Sequence, residues 1–228
     1  VFLPFFELPG AAQPRQEIPM ARLVYVMDPM CSWCWGFAPV VEALAGQARQ
    51  AGVAMHLVAG GLRRESQVLD QRGRDRIHTH WQAVHETTGQ PFDLQGGLPD
   101  NLIYDTEPAC RALVTARSLA SDCATRLLGL IQQAFYVKRQ DVTRPKLLVE
   151  LAEQAGLDRR AFAEGFDSQE LRAATEADFA WAENLGIAGF PTLLAERDGQ
   201  YALLTNGYQP LDSLAPLLDR WLQRGLRG

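Results

Sequence analysis

Five apolar residues, Leu23-Val24-Tyr25-Val26-Met27, run into Asp28-Pro29, and two cysteines three apart follow at once in Cys31-Ser32-Trp33-Cys34. The run has the β-branched and aromatic content of a buried strand. Asp28-Pro29 ends it, because proline cannot donate to a sheet ladder and restricts the residue before it. Beyond the cysteines, Phe37, Val40, Val41, Leu44 and Ala48 recur at helical spacing. The two thiols therefore belong to the first turn of a helix that leaves the carboxyl end of a strand. Unpaired backbone N–H groups and the helix dipole favour negative charge there, which is the setting of a reactive thiolate. The spacing also allows a disulfide, so Cys31 can attack and Cys34 can resolve.

The rest of the chain is read outward from this point. Gly52 stops the helix, and Val53 to Val58 forms a second strand closed by Gly60-Gly61. Strand, helix and strand make a parallel βαβ unit, whose sites lie outside the carboxyl ends of the strands. From Leu62 to Gly186 no strand is expected. Glu65 to Thr88 reads as helix and Gln90 to Tyr104 as a Gly- and Pro-rich loop. Further helices start at Thr106-Glu107-Pro108, at Ser121 or Asp122, at Thr143-Arg144-Pro145, at Asp158 and at Ser168, each with a capping side chain or an early proline. Strands return at Pro191–Ala195 and Tyr201–Thr205 around Asp198-Gly199, a tight-hairpin pair. A last amphipathic helix spans Pro210 to about Arg224.

Composition narrows the function. A formal charge of −5, with no basic run, argues against a nucleic-acid surface. No apolar stretch approaches the roughly 20 residues of a membrane-spanning helix, so no membrane partner is expected. Four cysteines in 228 residues are too few to staple a secreted fold. Residues 1–19, with four prolines, lack the basic lead and continuous apolar core of a signal peptide. They are expected to be an extension upstream of a native start at Met20, and the chain is expected to stay in the cytoplasm.

With these elements in place the chain resembles the thioredoxin superfamily, specifically its DsbA-like branch and the cytoplasmic FrnE-type members. The residues that carry the resemblance are Cys31-Ser32-Trp33-Cys34, Pro39 within the first helix, Gly189-Phe190-Pro191-Thr192 and Gly207-Tyr208-Gln209-Pro210. It implies an α/β fold: a thioredoxin-like mixed sheet, βαβ…ββα, with a large all-helical insertion. Residues 20–61 and 187–228 would form the thioredoxin-like domain and 62–186 the insertion. It further implies that Pro191 is cis and packs beside the sulfurs, with the backbone of Phe190 pairing to an extended substrate. Ser32-Trp33 replaces the dipeptides of thioredoxin and DsbA, and Phe190 is bulkier than the usual Thr or Val. Ser32 is expected to tune the thiolate, which Trp33 cannot support with a charge, giving a milder oxidant than DsbA.

The expected activity is thiol–disulfide exchange on protein or small-molecule thiols, with Cys31 and Cys34 catalytic and Phe190, Pro191 and Trp33 binding substrate. No cofactor is expected, though glutathione could act as redox partner; the assembly is a monomer or homodimer. Asp28 either caps the active-site turn, the favoured reading, or accepts a proton from Cys34. Trp33 and Trp35 either rim the site or pack against the insertion. Two rivals stand beside this reading. A glutathione-dependent transferase or isomerase of kappa or chromene-carboxylate type generally carries Ser where this chain has Cys31. A metal-binding interaction module would need two more ligands, and no second C-x-x-C or close Cys/His pair supplies them; no metal site is expected. Cys110 and Cys123 read as small buried hydrophobes, with a second redox pair as the alternative. His56 reads as a sheet residue, and His78, His80 and His85 as a solvated helix face.

Overall fold

The structure, a computed structural model, describes residues 21–225; the expectation about residues 1–19 lies outside them. The chain runs β1 (Ala21–Met27), α1 (Ser32–Gln50), β2 (Ala54–Ala59), β3 (Arg64–Val68), α2 (Gln71–Thr88), β4 (Ile103–Asp105) and α3 (Glu107–Leu119). It continues through α4 (Ser121–Tyr136), α5 (Pro145–Gln154), α6 (Arg159–Asp167), α7 (Gln169–Asn184), β5 (Thr192–Arg197), β6 (Gln200–Asn206) and α8 (Leu211–Gly225). The central sheet has the order β2-β1-β5-β6. β1 is parallel to β2, with Tyr25 opposite Leu57, and antiparallel to β5, with Tyr25 opposite Leu193. β5 and β6 form an antiparallel hairpin whose turn residues Asp198 and Gly199 both have positive φ.

Strand alternation sends the two faces of β1 to different partners. Leu23, Tyr25 and Met27 face the main core, which is continuous through α1, α8 and the helices between β2 and β5. Val24 and Val26 face the other way, toward Ala182 and Trp181 of α7. The helical stretch is fastened to edge strand β2 by polar groups as well. Arg117 of α3 pairs with Asp178 of α7 at 2.8 Å and also donates to the Leu57 carbonyl. The second Asp178 partner is the Ala59 N–H at 2.9 Å. Backbone groups that an edge strand would leave unpaired are thereby satisfied.

Between Leu62 and Gly186, where no strand is expected, the structure places β3 and β4 as a two-stranded antiparallel sheet. All five β3 residues, Arg-Glu-Ser-Gln-Val, are exposed, so hydrophobic alternation never marks this strand. Backbone bonds extend the pairing, Leu69 N–H to the Leu102 carbonyl and Thr106 N–H to the Arg63 carbonyl, both 3.0 Å. Helix α2 consequently starts at Gln71 rather than near Glu65, and Asp70 caps it by accepting from Gly73 N–H at 2.7 Å. Two expected caps also differ. Thr106 turns its hydroxyl to the Arg63 backbone at 3.3 Å, leaving Asp105 to accept from Glu107 N–H at 3.1 Å. Helix α4 starts from Ala120 with no side-chain cap, so neither Ser121 nor Asp122 takes that position. Asp158 and Ser168 do cap α6 and α7.

Candidate active site

The carboxyl end of β1 delivers the chain into a tight turn before α1. Asp28 makes that turn: its Oδ1 accepts from Met30 N–H at 2.8 Å and its backbone carbonyl from Cys31 N–H at 3.1 Å. Its Oδ2 reaches across to Leu62 N–H at 2.7 Å, tying the turn to the loop after β2. Cys110 of α3 donates to the same oxygen at 3.4 Å. Asp28 is fully buried, and burial pushes its carboxyl above the ordinary range, against the pull of these hydrogen bonds. Capping is thus its visible work.

Cys31 is the N-cap residue of α1, with extended backbone, and its carbonyl accepts from Cys34 and Trp35 N–H. As a residue it is 6 % exposed, while Cys34, one turn in, is fully buried. All four cysteines are free thiols. Burial, then the neighbouring Cys31, pushes the Cys34 thiol far up. The pair is therefore asymmetric, with one sulfur at the mouth and one held protonated behind it.

Facing Cys31 is the loop before β5. The Phe190–Pro191 peptide bond is cis, and the Cys31 thiol donates to the Phe190 carbonyl at 3.6 Å. Thr192 fixes the loop by donating to the Gly189 carbonyl at 2.8 Å and to Asn206 Oδ1 at 3.1 Å. Gly207 N–H bonds the Pro191 carbonyl at 2.7 Å. The Phe190 ring lies over Gly60, where a Cβ would overlap it, so that glycine is required by close approach. The two tryptophans divide: Trp33 is half-buried against Tyr208 with ring centroids 6.0 Å apart. Trp35 turns inward, stacking on Tyr136 and donating to the Pro91 carbonyl at 2.9 Å. Ser32 opens α1 and is half-buried.

Three tyrosines that sequence reasoning passed over back this turn, Tyr25 standing 79 and 111 positions from Tyr104 and Tyr136 in the chain. Tyr104 donates to the Met30 carbonyl at 2.6 Å. Tyr136 and Tyr25 are buried with hydroxyls that find no hydrogen-bond partner; burial, then the neighbouring Cys34, pushes the Tyr25 phenol far up. Tyr25 carried one available signal, a hydroxyl in an otherwise apolar strand; Tyr104 and Tyr136 carried none. The remaining cysteines are kept apart: Cys110 sits under Asp28, and Cys123 accepts from Arg126 at 2.9 Å in a different core cluster. His78 and His85 are not simply solvated, since their rings bond the Leu94 and Gln90 carbonyls, both at 2.7 Å. His56 is half-buried, and burial with Arg117 lowers its pKa. Among the described residues no group of three or more His, Cys, Asp or Glu is placed to hold a metal ion, and no helix is long and apolar enough to cross a membrane.

Known proteins share this fold. A candidate protein disulfide isomerase from Nitrosomonas europaea is 40 % identical, with a TM-score of 0.83 over 90 % of this chain and 98 % of its own. The cytosolic disulfide reductase DsbM from Pseudomonas aeruginosa is 30 % identical, with a TM-score of 0.72 over 88 % of this chain and 98 % of its own. DsbM has also been solved with glutathione. Among curated proteins, the ClpXP adapter protein SpxH of Halalkalibacterium halodurans is 23 % identical over 202 residues, 86 % of this chain and 66 % of the relative. The chain thus spans slightly less than two thirds of the length of that relative. Residues 22–219 match the DSBA-like thioredoxin domain, and the chain belongs to that family.

Proposed function

We propose that this protein exchanges disulfides through Cys31 and Cys34 and works in the reducing direction, in the cytoplasm, with glutathione as the thiol that resets it. The observation that carries the reading is the Cys31 sulfur at the N-cap of α1, 3.6 Å from the Phe190 carbonyl. Cys31 thiolate attacks a substrate disulfide, forms a mixed disulfide and releases one substrate sulfur, which takes up a proton. Cys34 then loses its proton and attacks Cys31; the bond to substrate breaks, and the second substrate sulfur leaves with the electron pair. Two electrons have passed to substrate, and two thiols of glutathione return the Cys31–Cys34 disulfide to dithiol. The Phe190 backbone beside Pro191 pairs with the extended substrate, and Trp33 rims the site. The direction is supported by DsbM, a cytosolic reductase at 30 % identity, and the partner by its solution with glutathione.

The test is turnover of insulin disulfides with reduced glutathione as the reductant. Wild type is expected to reduce them, and Cys31→Ser is not. Cys34→Ser should accumulate a mixed disulfide on Cys31. Full activity in Cys31→Ser would overturn the mechanism. Stoichiometric glutathione binding with transfer activity surviving Cys34→Ser would move the chain to the transferase class.

A further inference from the structure

The resolving thiol presents a problem that the mechanism leaves open. Cys34 is fully buried and must become an anion before it can attack Cys31. A buried anion without a donor costs several kcal/mol, so something must face it. The groups behind the active-site turn come from five elements. From α1 there is Cys31; from β1 and its turn, Tyr25 and Asp28; from the β4 end, Tyr104 with the Arg63 guanidinium 5.2 Å over its ring. From α3 and α4 come Cys110, held on Asp28, and Tyr136. The Asp28 carboxylate is spent on Met30 and Leu62 N–H groups and would repel a thiolate. Tyr104 is spent on the Met30 carbonyl.

Tyr25 remains. It projects from the middle of β1 on the α1 face, 1 % exposed, its ring 6.1 Å from that of Phe37, one turn beyond Cys34. Its buried hydroxyl has a proton to give and no acceptor while Cys34 is a neutral thiol. An unmade hydrogen bond of this kind is expensive in one state and available in the other.

Resting on the exchange chemistry proposed above, we propose that Tyr25 is the positioning residue of the resolving step, its hydroxyl donating to the Cys34 sulfur as that sulfur becomes anionic. The phenol keeps its proton throughout. The Cys34–Cys31 bond forms as the Cys31–substrate bond breaks, and the proton that Cys34 gives up ends on the departing sulfur. Burial holds the phenol far above its ordinary range, so it stays a donor across neutral pH. The first step, attack by Cys31, does not use Tyr25.

The experiment separates the two steps with 5,5′-dithiobis(2-nitrobenzoate) on the reduced full chain. Attack by Cys31 releases one thionitrobenzoate, and attack by Cys34 on the resulting mixed disulfide releases a second. In Tyr25→Phe, which removes one oxygen, the first release keeps its wild-type rate. The second slows by roughly tenfold at pH 7, with its pH midpoint moved up by about one unit. Tyr136→Phe, removing the other orphaned hydroxyl, should change the second release less than twofold. A second release in Tyr25→Phe with wild-type rate and pH midpoint overturns the proposal. Should that variant not fold, the wild type decides: raising the pH of the reduced protein should perturb tyrosine absorbance near 285 nm with the same midpoint as the Cys34 thiolate band at 240 nm, in Tyr136→Phe as in wild type. Absence of that shared midpoint overturns it equally. A wild type that never releases the second thionitrobenzoate refutes the exchange reading itself, a distinct result.

Discussion

All four cysteines stand at the start of a helix, yet two regions treat them differently. Cys31 caps α1 and Cys34 lies in its first turn; Cys110 is the fourth residue of α3 and Cys123 the third of α4. At the mouth of the sheet, Cys31 meets a backbone carbonyl and a cis X–Pro bond, with its partner sulfur one turn behind. In the helical stretch, Cys110 is fully buried and leans on the Asp28 carboxylate, whose charge and burial push its thiol far up. Cys123 is no more buried than Cys31, but what faces it is the Arg126 guanidinium, which donates to its sulfur at 2.9 Å. A helix start is therefore not sufficient for chemistry. What stands opposite the sulfur, and whether a second sulfur is near, separates a reactive thiol from a packed one.

The comparison can be broken in order of expected effect. Cys31→Ser should reduce exchange to the uncatalysed background, measured as insulin reduction, whereas Cys110→Ala should retain more than half. Next is Gly60→Ala. Its Cβ would strike the Phe190 ring, moving the carbonyl that faces Cys31. Exchange should fall roughly tenfold and stability by about 1–3 kcal/mol in urea unfolding.

Asp28 joins the two regions, so Asp28→Asn tests whether Cys110 and the active turn share one support. Both Asp28 oxygens accept backbone N–H bonds, and an amide would set a donor against one of them, costing about 1–3 kcal/mol. The pH response is more telling. The folded carboxyl titrates above its unfolded counterpart, so from about pH 4 upward the unfolded state binds fewer protons and wild-type stability falls as pH rises through the folded pKa. Asp28→Asn should flatten that decline above about pH 4; an unchanged slope would assign the titration elsewhere. The smallest effect is expected from Cys123→Ala, within twofold of wild-type exchange and about 1 kcal/mol in stability.

Much of this organisation is legible in the chain because it is written in periodicity and turn chemistry. The strand before Cys31, the amphipathic α1, the Asp198-Gly199 hairpin and the Asp158 and Ser168 caps all follow from local signals. What escapes is held by other means. β3 is exposed on every residue and exists through its backbone pairing with β4, so no hydrophobic pattern announces it. Thr106 gives its hydroxyl to a distant backbone rather than its own helix. The tyrosines behind the cysteines meet only once the helical stretch folds onto β1, and sequence spacing of 79 and 111 residues hides that meeting.

The contact between Cys31 and Phe190 joins residues 159 positions apart. A ribosome adding roughly 5–20 residues per second finishes the cysteine turn about 10–30 s before it makes the loop that guards it. For that interval each newborn chain carries Cys31 without the loop that faces it. Fusing a stall sequence after α7 should leave nascent chains whose thiols alkylate faster than those of the finished protein.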